Sequence, residues 1–332
     1  MINITKRIIA TYAEQAVIEY TLINRQSGFI VSIQNYGGVI SQIITPDKFG
    51  VFKNVVIANN EFDAVNKFHL GAITGQVAGR IKDGKFNLNN IDYQLAINNG
   101  VNHIHGGIKG FNQQFWQVAE IINGVELSYT SIDMSEGYPA NSKFIITYCI
   151  VDDYSLEIKY TIKSDSDTIA NITNHSYFDL TCGNNPMSME VVLPADYFAP
   201  IDNDGCVMNY LSSVDNSVFD LRKPTILQDI LNSKHKQILL ANGGLDHSYL
   251  LTNNAIKLTD NLSGRYLDII TDAPCCVVYT SNWLEPQRQI AVCFETQKMP
   301  NAINWPEFRD SVIISANYEY VSSTLWKFGV NK

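Results

Sequence analysis

The chain has 332 residues, 45% of them hydrophobic and only 17% charged, which is enough apolar material for a large buried core. A formal net charge of -9 argues against nucleic acid or an anionic membrane surface as partner, since both require a basic footprint. The seven arginines are scattered, which also weakens any reading centred on phosphate recognition.

From the N-terminus, Met1 to Arg7 lacks the uninterrupted apolar stretch of a signal peptide. No segment approaches the roughly 20 apolar residues of a membrane span. Gly28 to Tyr36 reads as a strand ended by Gly37-Gly38, and Asn59 to Val65 reads as a capped turn of helix. Val118 to Ile122 and Val125 to Ser131 flank Asn123-Gly124, a two-residue hairpin signal. Phe144 to Val151 and Leu156 to Lys163 follow as strands, with Asp152-Asp153 between them. Thr225 to Leu231 has apolar residues at helical spacing. Ile269 to Tyr279, Ile290 to Glu295 and Val312 to Val321 return to strand-like patterns.

Six cysteines occur without C-x-x-C spacing, and the adjacent Cys275 and Cys276 diverge in a strand. They read as reduced thiols of a cytoplasmic protein, with no cysteine-held zinc. Many short strands with Gly, Asn and Asp turns, and no repeat or linker, predict an all-β fold. The expected architecture is one large antiparallel β-sandwich domain over residues 1–332, with few short helices.

Five clusters carry chemistry. In Ile172 to Asp179, His175 sits among Asn174, Ser176 and Tyr177. It is either a satisfied core imidazole or a proton-transfer group beside a polar ligand. In Asn98 to Gly107, His103 and His105 at i and i+2 would share a face of a strand, but no third metal ligand lies nearby in sequence. The alternative is that His105, braced by Gly106-Gly107, points into a pocket as a hydrogen-bond donor. Arg80, within Gly75 to Ile81, is a structural ion-pair partner or a fork for ligand oxygens. Asp246, after Gly243-Gly244, is a turn residue or a bidentate acceptor for vicinal hydroxyls. Glu295 ends an apolar strand, where burial raises a carboxyl toward the range of a general base. No serine elbow, P-loop or dinucleotide fingerprint is present. Together these groups suggest proton shuttling on a neutral polyol. The residues alone leave the reaction open.

The chain resembles the aldose 1-epimerases, the galactose mutarotase family, from Asn35-Tyr36-Gly37-Gly38 to Tyr318. The matching pieces are Ala78-Gly79-Arg80-Ile81, Ile104-His105-Gly106-Gly107, Glu136-Gly137-Tyr138-Pro139 and Thr173 to Phe178. They continue through Leu245-Asp246-His247, Ser263-Gly264-Arg265, Phe294-Glu295-Thr296-Gln297 and Pro300-Asn301-Ala302, all in the family's order. The resemblance implies a β-sandwich that interconverts the α and β anomers of free hexoses such as galactose and glucose. It implies Glu295 as general base on the C1 hydroxyl, His175 as general acid on the ring oxygen, and Arg80, His105 and Asp246 as sugar-binding residues. No metal or organic cofactor is implied, and the partner is a small hexose bound by a monomer or homodimer.

Two departures from the family pattern bear on which hexose is preferred. Gly79 stands where an asparagine is common, and Val277 where a glutamine is expected. The competing readings are a hexose-6-phosphate 1-epimerase, which would need basic residues around the phosphate, and a non-catalytic carbohydrate-binding protein, which would not need an acid–base pair.

Overall fold

The computed structural model describes residues 2–59, 61–253 and 255–331. Antiparallel pairing dominates. Nine strands form one sheet, seven a second and five a third, the last made by the N-terminal segment. The α-helices among the described residues are short, Leu227–Leu231 and Lys236–Leu240.

Period two explains how the sheets stack. In Ser142–Asp152 the residues Phe144, Ile146, Tyr148 and Ile150 are buried, and Leu156, Ile158, Tyr160 and Ile162 repeat the pattern in Ser155–Ser164. Opposite them the seven-stranded sheet contributes Phe178, Tyr249, Cys276, Val278, Val292 and Phe294 to the same core. Successive side chains on a strand point to opposite faces. The other face of those strands therefore carries Asp246, Ser248, Val277, Tyr279, Glu295 and Gln297, all of which line a cavity. One sheet thus has an apolar face toward the core and a polar face toward a cleft.

The strand patterns from 118 to 163 correspond to Gln117–Ile121, Gly124–Ser131, Ser142–Asp152 and Ser155–Ser164. The hairpin turn sits one residue earlier than its Asn-Gly signal: Ile121 pairs with Gly124, and Asn123 takes the left-handed φ of 59°. Gly28 to Tyr36 shortens to Ile30–Gln34.

Four expectations need correction. Ile269 to Tyr279 is not one strand. Arg265–Thr271 belongs to the nine-stranded sheet and Cys275–Tyr279 to the seven-stranded one. Pro274 lacks the N–H a ladder needs, and Asp272 accepts from the backbone N–H of Ser323, so the chain changes sheets there. Likewise 312–321 divides into Ile313–Ile314 and the start of Glu319–Val330. The helix expected over 59–65 includes Asn60, which lies outside the described residues. Residues 61–65 are not helical, because Asp63 accepts from the N–H of Val65 in a local turn. Thr225 to Leu231 begins with two strand residues, Thr225–Ile226, before the helix Leu227–Leu231.

Candidate active site

All five residues singled out in the sequence line one cavity of about 560 Å³ on the polar face of the seven-stranded sheet. Strand Asp246–Leu251 brings Asp246, strand Val292–Gln297 brings Glu295, and Cys275–Tyr279 lies between them. Register places Val277 directly beside both Glu295 and Ser248. His175 follows Thr173–Asn174 and precedes Tyr177–Phe178. Its backbone N–H donates to Ala72 O at 2.9 Å and its carbonyl accepts from Gly71 N at 3.0 Å. Tyr177 stacks on the imidazole at a ring separation of 5.0 Å.

His175 and Glu295 are in contact. His175 Nε2 lies 3.4 Å from Glu295 Oε1, and both side chains are at most 5% exposed. Arg80 donates from Nε to Asn99 Oδ1 at 2.9 Å and from Nη1 to Gly205 O at 3.1 Å, with Asp246 Oδ2 3.8 Å from Nη1. The guanidinium fork is thereby fixed, which a flexible lysine would not achieve.

His105 sits on a loop that only glycine permits. A Cβ on Gly106 would lie 1.8 Å from Gly75 O, and Gly106 and Gly107 have φ of 87° and 106°. Glu136 closes this loop, accepting from Ile108 N at 2.8 Å and Lys109 N at 3.1 Å. His105 Nδ1 accepts from Gly79 N at 3.2 Å, so the network assigns its proton to Nε2. The imidazole therefore offers an N–H to the cavity.

That tautomer bears on metal binding. The ligating atoms of His105, His175 and Glu295 fall within 4.8 Å of one another. A metal on His105 Nε2 would force its proton onto Nδ1, against the Gly79 N–H. The set therefore fits a hydrogen-bonding role better than a metal centre. His103 is no partner to it. Its Nδ1 contacts Ala96 O at 2.8 Å and its Nε2 contacts Tyr138 OH at 2.6 Å.

Burial governs the proton affinities. It pushes Glu295 up to about 8, helped by the Asp246 charge and opposed by Arg80. It holds His175 down at about 4, and it keeps His105 well below its ordinary value. Asp246 is raised by burial and lowered by Arg80. At neutral pH the unliganded pair thus carries one proton, resting on Glu295 beside a neutral imidazole.

A third imidazole was not anticipated. His69 lines the same cavity, its ring 4.8 Å from that of His105 and 6.1 Å from that of His175. Gln297 and Ser248 also face the cavity, and Gln297 Nε2 and Ser248 Oγ are buried without a protein partner among the described residues. Period-two spacing from Glu295 and Asp246 is the signal that marks both. His69 has no such signal.

Known proteins resemble this chain over most of its length. A family model described as aldose 1-epimerase matches residues 19–327. The chain is 35% identical over 319 residues to a galactose mutarotase of Bos taurus, covering 90% of this chain and 91% of that one. It is 33% identical over 280 residues to an aldose 1-epimerase of Haemophilus influenzae, covering 78% and 81%. The crystal structure of galactose 1-epimerase from Lactobacillus acidophilus NCFM superposes with a TM-score of 0.88 at 28% identity, over 100% of both chains. With its cleft residues assembled as the sequence motifs imply, the chain belongs to the aldose 1-epimerase family.

Proposed function

We propose that the protein is a mutarotase that interconverts the α and β anomers of free hexoses such as galactose and glucose, with Glu295 as general base and His175 as general acid. The observation that carries the assignment of roles is the 3.4 Å contact between His175 Nε2 and Glu295 Oε1 in a sugar-sized polar cleft. Ionised Glu295 takes the proton of the C1 hydroxyl as C1–O1 becomes a carbonyl. The C1–O5 bond breaks with its electron pair moving to O5, which receives a proton from His175. Rotation about C1–C2 and reclosure on the other face of the aldehyde give the second anomer, with the two residues exchanging roles.

The state after ring opening holds protonated Glu295 and neutral His175. Burial favours that same state in the free protein. The dry pocket therefore supports the open-chain intermediate, while Arg80 moderates the cost of ionising Glu295. His105 Nε2–H donates toward the ring oxygen, and Arg80 and Asp246 hold ring hydroxyls. The chemistry moves only protons and requires no cofactor.

Residues 1–332 are read as one domain, since the N-terminal Tyr20, Leu22, Val31 and Ile33 enter the same core as Trp326 and Phe328. No helix among the described residues is long and apolar enough to cross a membrane. Six free cysteines support a reducing, cytoplasmic setting.

The test is polarimetry or NMR on freshly dissolved α-D-galactose and α-D-glucose. The protein should speed the approach to anomeric equilibrium. An unchanged spontaneous rate despite sugar binding would leave a carbohydrate-binding protein. A response confined to 6-phosphorylated sugars would favour the phosphate-specific reading, for which the cavity offers Lys67 at its edge besides Arg80.

A further inference from the structure

The ring of His69 is built into the cleft by its own loop. The residue has a left-handed φ of 55°, unusual for a side chain with a Cβ, and the turn around it is tied at both ends. Its N–H donates to Asn66 O at 2.9 Å and its carbonyl accepts from Ala72 N at 3.0 Å. The Asn66 side chain brackets the next residue, accepting from Leu70 N at 2.9 Å and donating to Leu70 O at 3.1 Å. The carbonyl of Phe68 accepts from Tyr177 OH at 2.7 Å, and Tyr177 is the ring stacked on His175. The segment that aims His69 is therefore the one that packs behind the general acid.

The hydrogen-bond network fixes the tautomer. His69 Nδ1 lies 3.3 Å from Thr74 Oγ1, and Thr74 is fully buried. The Thr74 hydroxyl has no other partner among the described residues, so its proton is satisfied only by donation to Nδ1. The proton of the neutral ring then sits on Nε2, which faces the cavity as an unengaged donor. His69 and His105 form a pair of imidazole N–H donors with ring centroids 4.8 Å apart.

Position selects the oxygen. The tips of His105, His175 and Glu295 make a triangle within 4.8 Å, and His69 stands outside it, nearer His105 than His175. In a hexose whose O1 is at Glu295 and whose O5 is at His175 and His105, the oxygen next to O5 on the side away from O1 is that on C6. We propose that His69 is a further substrate-binding residue, its Nε2–H donating to the C6 hydroxyl of the hexose. The assignment rests on the mutarotase reading above.

The experiment compares mutarotation of D-galactose with that of 6-deoxy-D-galactose, which lacks only that oxygen, by wild type, His69→Phe and His69→Gln. Wild-type acceleration on D-galactose is the control for the mutarotase reading itself. The expected result is a loss of about tenfold in kcat/KM for D-galactose in His69→Phe, the size of one hydrogen bond, with little change for the deoxy sugar. His69→Gln, which keeps an N–H donor, should recover part of the loss. A merely structural role would lower both sugars together. Equal losses on the two sugars, or no loss on either while the wild type is active, would overturn the proposal.

Discussion

His175 Nε2 and Glu295 Oε1 stand 3.4 Å apart, the first supplied by a connection between two short strands and the second by strand Val292–Gln297, and both are nearly buried. Two groups at that distance, sharing one proton, act as a unit. Replacing either, as in Glu295→Gln or His175→Asn, should lower kcat by roughly 100- to 10,000-fold. The double variant should fall little below the weaker single one, because the second partner has no task once the first is gone. NMR line-shape or polarimetric rates on α-D-galactose check this, and additive losses would mean that the two residues work independently.

The shared proton sets the pH profile. With Glu295 near 8 and His175 near 4, the pair is singly protonated between those values. The kcat/KM profile should therefore be a bell that falls on the acid side near 4 and on the alkaline side near 8. Neighbouring charges set the alkaline limb. Asp246 raises the Glu295 pKa, so Asp246→Asn should move that limb to lower pH. Arg80 lowers it, so Arg80→Gln should move it to higher pH. Both variants bind sugar less well, but the position of the limb is read independently of its height.

Much of the site was legible in the sequence because each of its five residues breaks a local pattern. Glu295 is an acid in the apolar run Val292-Cys293-Phe294, and Asp246 and His105 sit against paired glycines. Alternation marks the strands between Gln117 and Ser164, whereas Ala195–Ala199, Asp246–Leu251 and Ala255–Thr259 of the same two sheets were not read from it. The change of sheet at Asp272 to Pro274 was hidden, because Cys275 to Tyr279 is apolar at every position and so does not show that the core face passes from odd positions (Leu267, Ile269) to even ones (Cys276, Val278). The first strands, Ile2–Tyr12 and Gln15–Asn24, gave little signal, and the former is half-buried at most. His69 was hidden for another reason. Nothing in Lys67-Phe68-His69-Leu70 distinguishes it, and its direction depends on a φ of 55° and on Thr74. Other motifs behind the family resemblance serve the frame. Arg265 donates to Val51 O at 2.8 Å, away from the cleft, and Tyr138 holds His103.

The loop that presents His105 offers a test of frame against chemistry. Glu136 accepts two backbone N–H groups there, and Glu136→Ala leaves both without that partner. The expected cost is about 1–3 kcal/mol in denaturant unfolding, with a raised KM as His105 loses its aim. Gly106→Ala should be worse, about 3 kcal/mol or more, since its Cβ would sit 1.8 Å from Gly75 O at a φ of 87°. If Gly106→Ala unfolds at the wild-type denaturant concentration, the close approach does not constrain the loop.

Burial of Glu295 also predicts an opposition between activity and stability. A carboxyl whose pKa is raised on folding holds its proton more tightly in the folded state than in the unfolded chain. Its effect is absent below the unfolded value, and as pH rises toward about 8 it subtracts steadily from stability. Above that, the folded protein bears the full cost of an ionised carboxylate in a dry pocket. Glu295→Gln removes the titration while keeping the shape of the side chain. The variant should therefore exceed the wild type in Tm by a margin that grows between about pH 5 and pH 9, even though it is nearly inactive. Calorimetric scans at the two pH values check this. A margin independent of pH would mean that Glu295 is ionised in the folded protein throughout that range, with its charge balanced by a proton on His175.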